Sequence, residues 1–231
     1  MKNLLICLGV LLISHNCFAQ ETVERSRKLT PEVTEKYHVL KSDYEIKQGM
    51  YSAYLKKVLV AAGNYTNNKK TGTWTFFDSK GKVSQRFNYD KLTLIYEAPQ
   101  DTTSHIRYVV DDSLKNNPVF SRPVRIGGNY FGYLPYINAI KLPQNLANLS
   151  NETDLVLMEL LITPLGRLAG YKLRITPMWA TRQYDDVVLN INLNLLSDED
   201  KVFVPATLNN EPTAVRIIVP CSFFKSDLIR L

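Results

Sequence analysis

Most of the residue patterns that carry chemistry are absent from this chain. Of 231 residues only three are cysteine and three histidine. Cys7 and Cys17 fall within the first twenty residues, which leaves Cys221 alone in the remainder. One cysteine makes no internal disulfide, so stability must come from burial. Behind Pro220 in an apolar stretch, Cys221 reads as a small buried hydrophobe rather than a nucleophile. His38 and His105 have no second His or Cys at metal-ligand spacing. No G-x-S-x-G, H-E-x-x-H, Walker or dinucleotide-glycine pattern occurs. The formal charge of +6 is not gathered into any Lys/Arg block, so a nucleic-acid stripe is not expected. Glycine and proline are sparse, at 10 and 11 residues, against 45% hydrophobic residues. That balance excludes a disordered or collagen-like chain.

The first nineteen residues read as an address. Lys2 supplies a positive charge, Leu4 to Ile13 is apolar, and Cys17-Phe18-Ala19 ends the run with small residues at the two key positions. This is the pattern of a secretory signal, with cleavage expected after Ala19. As a helix the run would measure about 15 Å, half of the roughly 30 Å needed to cross a hydrocarbon core. No later run is longer, so the mature protein is expected to be exported and not membrane-spanning. Residues 20–36 read as a polar N-terminal segment.

From Tyr37 to Glu97 the rhythm is that of short strands and tight turns. Aromatic and polar residues alternate in Met50-Tyr51-Ser52-Ala53-Tyr54 and in Thr73-Trp74-Thr75-Phe76-Phe77, the period of half-buried strands. Turn residues separate them at Asn67 to Gly72 and Asp78 to Lys82. Gly49-x-Tyr51-x-x-Tyr54 recurs as Gly72-x-Trp74-x-x-Phe77, and Asn64-Tyr65 recurs as Asn88-Tyr89. Such a hairpin repeat buries an aromatic ladder only when its copies stack. The text resembles the bacterial variant of MORN repeats. That resemblance implies an antiparallel β-meander serving as a scaffold, with Tyr51, Tyr54, Trp74 and Phe77 as a possible contact surface and core packing as their default role.

Residues 98–118 read as a linker, with one strand at Ile106 to Val110. Beyond it, Val119 to about Lys225 reads as mixed α and β. Leu155 to Ile162 is an apolar strand, Thr163-Pro164-Leu165-Gly166 a turn, Tyr171 to Ile175 the return strand, and Ala214 to Val219 a third strand closed by Pro220. Tyr130 to Ile140 has the spacing of a short helix. Leu189 to Leu195 alternates as a strand does, yet Asp185-Asp186 suits a helix N-terminus and Val188, Ile191 and Leu195 recur at helical spacing.

In order, Pro123-x-x-x-Gly127-Gly128, Leu142-Pro143, the strand pair around Gly166, Phe203-Val204-Pro205-Ala206, the turn at Asn209 to Pro212, and Val215 to Phe223 resemble the C-terminal domain of TonB, as found in short exported proteins of Bacteroidetes-type bacteria. The chain departs from that family at Phe203 for Trp, at Leu142 for Tyr, and in lacking a glycine near Asn210. It also has neither a lasting membrane anchor nor a Pro-rich reach. The resemblance implies an α+β fold with a three-stranded antiparallel sheet and two helices, the second over Asp186 to Leu196. It further implies a non-enzymatic envelope protein linked to transmembrane transport. Such a protein takes an extended segment of a partner, an outer-membrane receptor, by β-augmentation in the periplasm. The expected edge is Ala214, Val215, Arg216, Ile217, Ile218 and Val219. No cofactor, metal or nucleic acid is expected. The alternative is a structural adaptor of the cell envelope that uses the MORN-like module as its contact surface. A hydrolase would instead require a polar cleft around His105 or Asp111-Asp112. Those two acids, like Asp185-Asp186 and Asp198-Glu199-Asp200, sit where loops and caps place them.

Overall fold

The computed structural model describes residues 20–99, 105–110, 119–146, 149–178, 186–225 and 228–230. The proposed signal segment, the Asp111-Asp112 loop and Asp185 lie outside these residues.

Alternation and turns fold the first region into one seven-stranded meander, each strand antiparallel to the next. Its strands are β1 (Thr22–Lys28), β2 (Val33–Leu40), β3 (Lys47–Leu55), β4 (Val58–Thr66), β5 (Lys69–Phe77), β6 (Val83–Asn88) and β7 (Thr93–Glu97). The meander ends at Glu97, but it begins at Thr22, inside the segment read as merely polar. There Arg27 on β1 faces Glu35 on β2, so the charged strand is held by cross-strand pairing rather than by apolar burial.

The repeat corresponds to two hairpins side by side in one sheet, β3–β4 and β5–β6, joined by the β4–β5 pairing. Tyr51 and Trp74 hold equivalent repeat positions, with ring centroids 5.0 Å apart. Tyr65 and Tyr89, the other repeated pair, meet Trp74 edge-on at 5.2 and 5.7 Å. Trp74 fits because Gly63 lies beneath it: a Cβ there would come within 2.2 Å of the indole.

The second region supplies β8 (Arg107–Val109), β9 (Phe120–Ser121), β10 (Val124–Arg125), α1 (Leu134–Ala139), β11 (Asp154–Ile162), β12 (Leu168–Pro177), β13 (Val187–Asn190), β14 (Phe203–Val204), β15 (Ala206–Leu208), β16 (Glu211–Thr213), β17 (Val215–Lys225) and β18 (Leu228–Arg230). The expected three-stranded antiparallel unit is present as β12-β11-β17. It is widened by β13 on one side, and by β8 and β18 on the other. Met158, Leu160, Leu173, Ile175 and Ile217 line its inner face, under Tyr133, Tyr136 and Ile137.

Two expectations are corrected here. The helix over Asp186 to Leu196 is absent: Val187–Asn190 is a strand paired to β12, followed by one 3-10 turn at Leu193–Leu195. The period-two alternation outweighs the acidic cap because β12 presents a free edge for it to pair with. Only one α-helix is found among the described residues. The strand expected to close at Pro220 runs on to Lys225. Pro220 lies between the stretches paired to β8, at Arg216 to Ile218, and to β18, from Ser222 onward. A residue without an N–H is tolerated there because no strand opposes it on that side.

Candidate functional site

The two regions are joined through side chains that sequence reading did not single out. Gln85 on β6 is fully buried. Its Oε1 accepts from the backbone N–H groups of Gly127 (2.7 Å) and Gly128 (3.2 Å), and its Nε2 donates to the Arg125 carbonyl (2.9 Å) and to Glu97 (2.7 Å). Both glycines have positive φ, and a Cβ on Gly128 would sit 2.6 Å from Ser84 Oγ. The Gly-Gly pair is thus required by close backbone approach to the meander.

Arg125, from the same segment, is buried and fully engaged. It donates to the carbonyls of Gly132, Glu199 and Val202 and pairs with Asp200 at 2.6 Å. Its guanidinium lies over the rings of Tyr136 and Phe203. Lys70 on β5 reaches Glu199 at 2.5 Å, and Arg122 reaches Glu97 near the end of β7 at 2.9 Å. Within the acidic triplet Glu199 therefore clasps the meander through Lys70, while Asp200 holds Arg125 inside the second region and Asp198 pairs with Lys201. A signal existed in the sequence, an acidic turn next to Phe203-Val204-Pro205-Ala206, but Arg125 and Lys70, the partners of Asp200 and Glu199, lie 75 and 129 residues away.

A cavity of about 180 Å³ lies at this joint, bounded by Tyr51, Tyr65, Lys70, Tyr89, Phe131 and Glu199 among others. Its aromatic walls are strongly desolvated. Burial, then the nearby Glu35, raises the Tyr51 phenol, and burial, then Glu199, raises those of Tyr65 and Tyr89. Glu35 is buried at 2% exposure, held by Arg27 at 2.7 Å and by the Tyr51 hydroxyl at 2.8 Å. The charged groups around the cavity are consumed by one another, which suits holding and positioning better than proton transfer.

The expected site residues are distributed differently from their reading. Tyr51 and Trp74 are buried, and Tyr51 packs on Phe131 of the second region at 6.3 Å, so neither offers a contact surface. Tyr54 and Phe77 are half-buried; Tyr54 opens onto the other face of the meander, beside His38 and Met50. Ala214 precedes β17 as an exposed residue, while Val215, Ile217 and Val219 point into the core. Arg216, Ile217 and Ile218 pair with Leu161, Leu160 and Glu159 of β11 on one side and with Val109, Tyr108 and Arg107 of β8 on the other. The segment expected as a free edge is interior, because a short strand from the linker, β8, covers it.

Other edges stay open among the described residues. β1 is one, with four charged residues in Thr-Val-Glu-Arg-Ser-Arg-Lys. β7, Thr-Leu-Ile-Tyr-Glu, is another, with one. In β7 Ile95 and Tyr96 are 55% and 43% exposed.

His38 contacts the Met50 carbonyl and His105 is remote from it in the chain; no group of three potential metal ligands occurs among the described residues. Burial pushes the Cys221 thiol up to about 12, which leaves it protonated and unreactive at neutral pH. No helix among the described residues is long and apolar enough to cross a membrane. The chain matches no protein-family model, no curated protein and no solved structure.

Proposed function

We propose that the protein is a non-enzymatic, exported component of the bacterial envelope that takes an extended segment of a partner protein as an added strand, on β7 rather than on Ala214 to Val219. One observation carries this: β7 is an open, β-prone edge with a single charged residue, Glu97, which Arg122 and Gln85 already hold. Open edges with unpaired N–H and C=O groups are normally blunted by charge, as β1 is. An edge left apolar fits capture of an apolar partner strand through main-chain hydrogen bonds, with Ile95 and Tyr96 reading alternate side chains. An outer-membrane receptor is the partner implied by the TonB-like resemblance.

Photo-crosslinkers at Ile95 and, for comparison, at Ser26 of β1 test this in envelope preparations. An adduct from Ile95 alone, reduced by Tyr96→Lys in a protein with unchanged circular dichroism, supports capture on β7. Equal adducts from both edges, or indifference to Tyr96→Lys, remove it. The second reading is a structural adaptor working through the outer face of the meander. It is favoured by the groove holding Tyr54, His38 and Met50, the last 67% exposed. Adducts from a crosslinker at Met50 instead of Ile95 would select it.

A further inference from the structure

Across the open end of the meander's inner face, aromatic and cationic side chains alternate from strand to strand: Tyr37, Lys47, Tyr65, Lys70, Tyr89. The Lys47 ammonium lies 4.6 Å from the ring centroid of Tyr37, 5.0 Å from Tyr65 and 5.8 Å from Tyr51. Lys70, over Trp74 and Tyr89, has Glu199 as its carboxylate. Lys47 has none. The nearby Glu35 is taken by Arg27 and the Tyr51 hydroxyl. Burial lowers the Lys47 pKa, the charge of Glu35 works against it, and the charges of Arg27 and then Lys70 lower it further.

The half-buried ammonium therefore meets π faces, the already paired Glu35 and two like charges, with none of its N–H donors spent on a described residue. Further donors surround it. The hydroxyls of Tyr37 and Tyr65 make no hydrogen bond to a described residue. Asn68 accepts from the Lys47 backbone N–H through Oδ1 at 2.7 Å, and its amide nitrogen makes no hydrogen bond to a described residue. Arg27, Lys47 and Lys70 against Glu35 and Glu199 leave one positive charge in excess.

We propose that this niche binds the carboxylate of an acidic sugar. A monoanion balances the single excess charge, whereas a phosphate dianion overshoots it. Sugar hydroxyls would accept from the phenol and amide donors, and the C–H face of the ring would pack on the tyrosines. The site lies away from β7, so its fate is independent of strand capture there.

Titration calorimetry of the full mature chain with sodium glucuronate, glucose and inorganic phosphate tests the proposal. The expected result is saturable 1:1 binding of glucuronate, with glucose and phosphate each weaker by about tenfold or more, the scale of one charge-assisted hydrogen bond. Lys47→Gln should lose about tenfold or more of that affinity and Lys47→Arg should keep most of it. Tyr65→Phe, which leaves the ring packing intact, should weaken binding by a few fold, on the order of one neutral hydrogen bond. The proposal is overturned if glucuronate shows no saturable binding, if phosphate binds as well as glucuronate, or if Lys47→Gln binds normally while its melting temperature shows it folded.

Discussion

At the scale of single residues, the joint depends on one neutral amide, and the aromatic ladder of the meander on one glycine. Gln85 satisfies two N–H groups and one carbonyl that no water reaches easily. Gln85→Leu should cost about 3 kcal/mol or more, since each stranded buried group costs roughly 1–3 kcal/mol; urea unfolding measures it. Gly63→Ala should cost about 1–3 kcal/mol through overpacking against Trp74, with the tryptophan emission shifted as the ring is displaced. Glu97 adds a pH dependence. Burial raises its pKa, against the lowering by Gln85 and Arg122. The stability linked to this group is thus fully present below the unfolded value of about 4.3 and is lost as pH rises through the higher folded value. Relative to Glu97→Gln, the wild type should gain stability as pH falls from about 7 to about 4. A difference between the two melting curves that stays flat with pH would refute the assignment.

At the scale of elements, turn chemistry and period decided most of the outcome. The hairpin β15–β16 turns through Asn209 and Asn210, with φ of 53° and 68°, so asparagine takes the left-handed positions that glycine commonly fills in such turns. Asn210→Gly should leave stability equal or raise it by a few tenths of a kcal/mol, whereas Asn210→Val should cost about 1–2 kcal/mol; thermal melts separate the two. The strands Leu155 to Ile162 and Tyr171 to Ile175 were legible because their apolar run and alternation have no helical counterpart. The strand after Asp186 was signalled by its own alternation, while the acidic pair Asp185-Asp186, the helical spacing of Val188, Ile191 and Leu195, and analogy with a family argued for a helix. The interior place of β17 was not legible. An alternating strand carries the same text whether one neighbour or two flank it, and β8 is a tripeptide with no signal of its own pairing.

At the scale of the whole molecule, the aromatic face of the meander is closed by Ile126, Tyr130, Phe131 and Leu134 of the second region. The two regions should therefore unfold together. Arg125→Met, which leaves Asp200 without its buried partner, should cost about 3–5 kcal/mol. It should also lower hydrogen-exchange protection in β5 and β6 as well as in the second sheet. Protection lost in the second sheet alone would show two independent units. A chain ending at Glu97 should expose the Trp74 ladder and bind hydrophobic dye.

By itself the sequence determined the meander, its repeat, the principal strands and the scarcity of nucleophile and metal motifs, because periodicity, turn residues and residue counts are local properties. Only the tertiary structure decided which strand edges are free, which aromatics are covered, and that Glu199 and Asp200 clasp Lys70 and Arg125. Those outcomes depend on groups far apart in the chain meeting at one surface, and local text does not encode which surfaces meet.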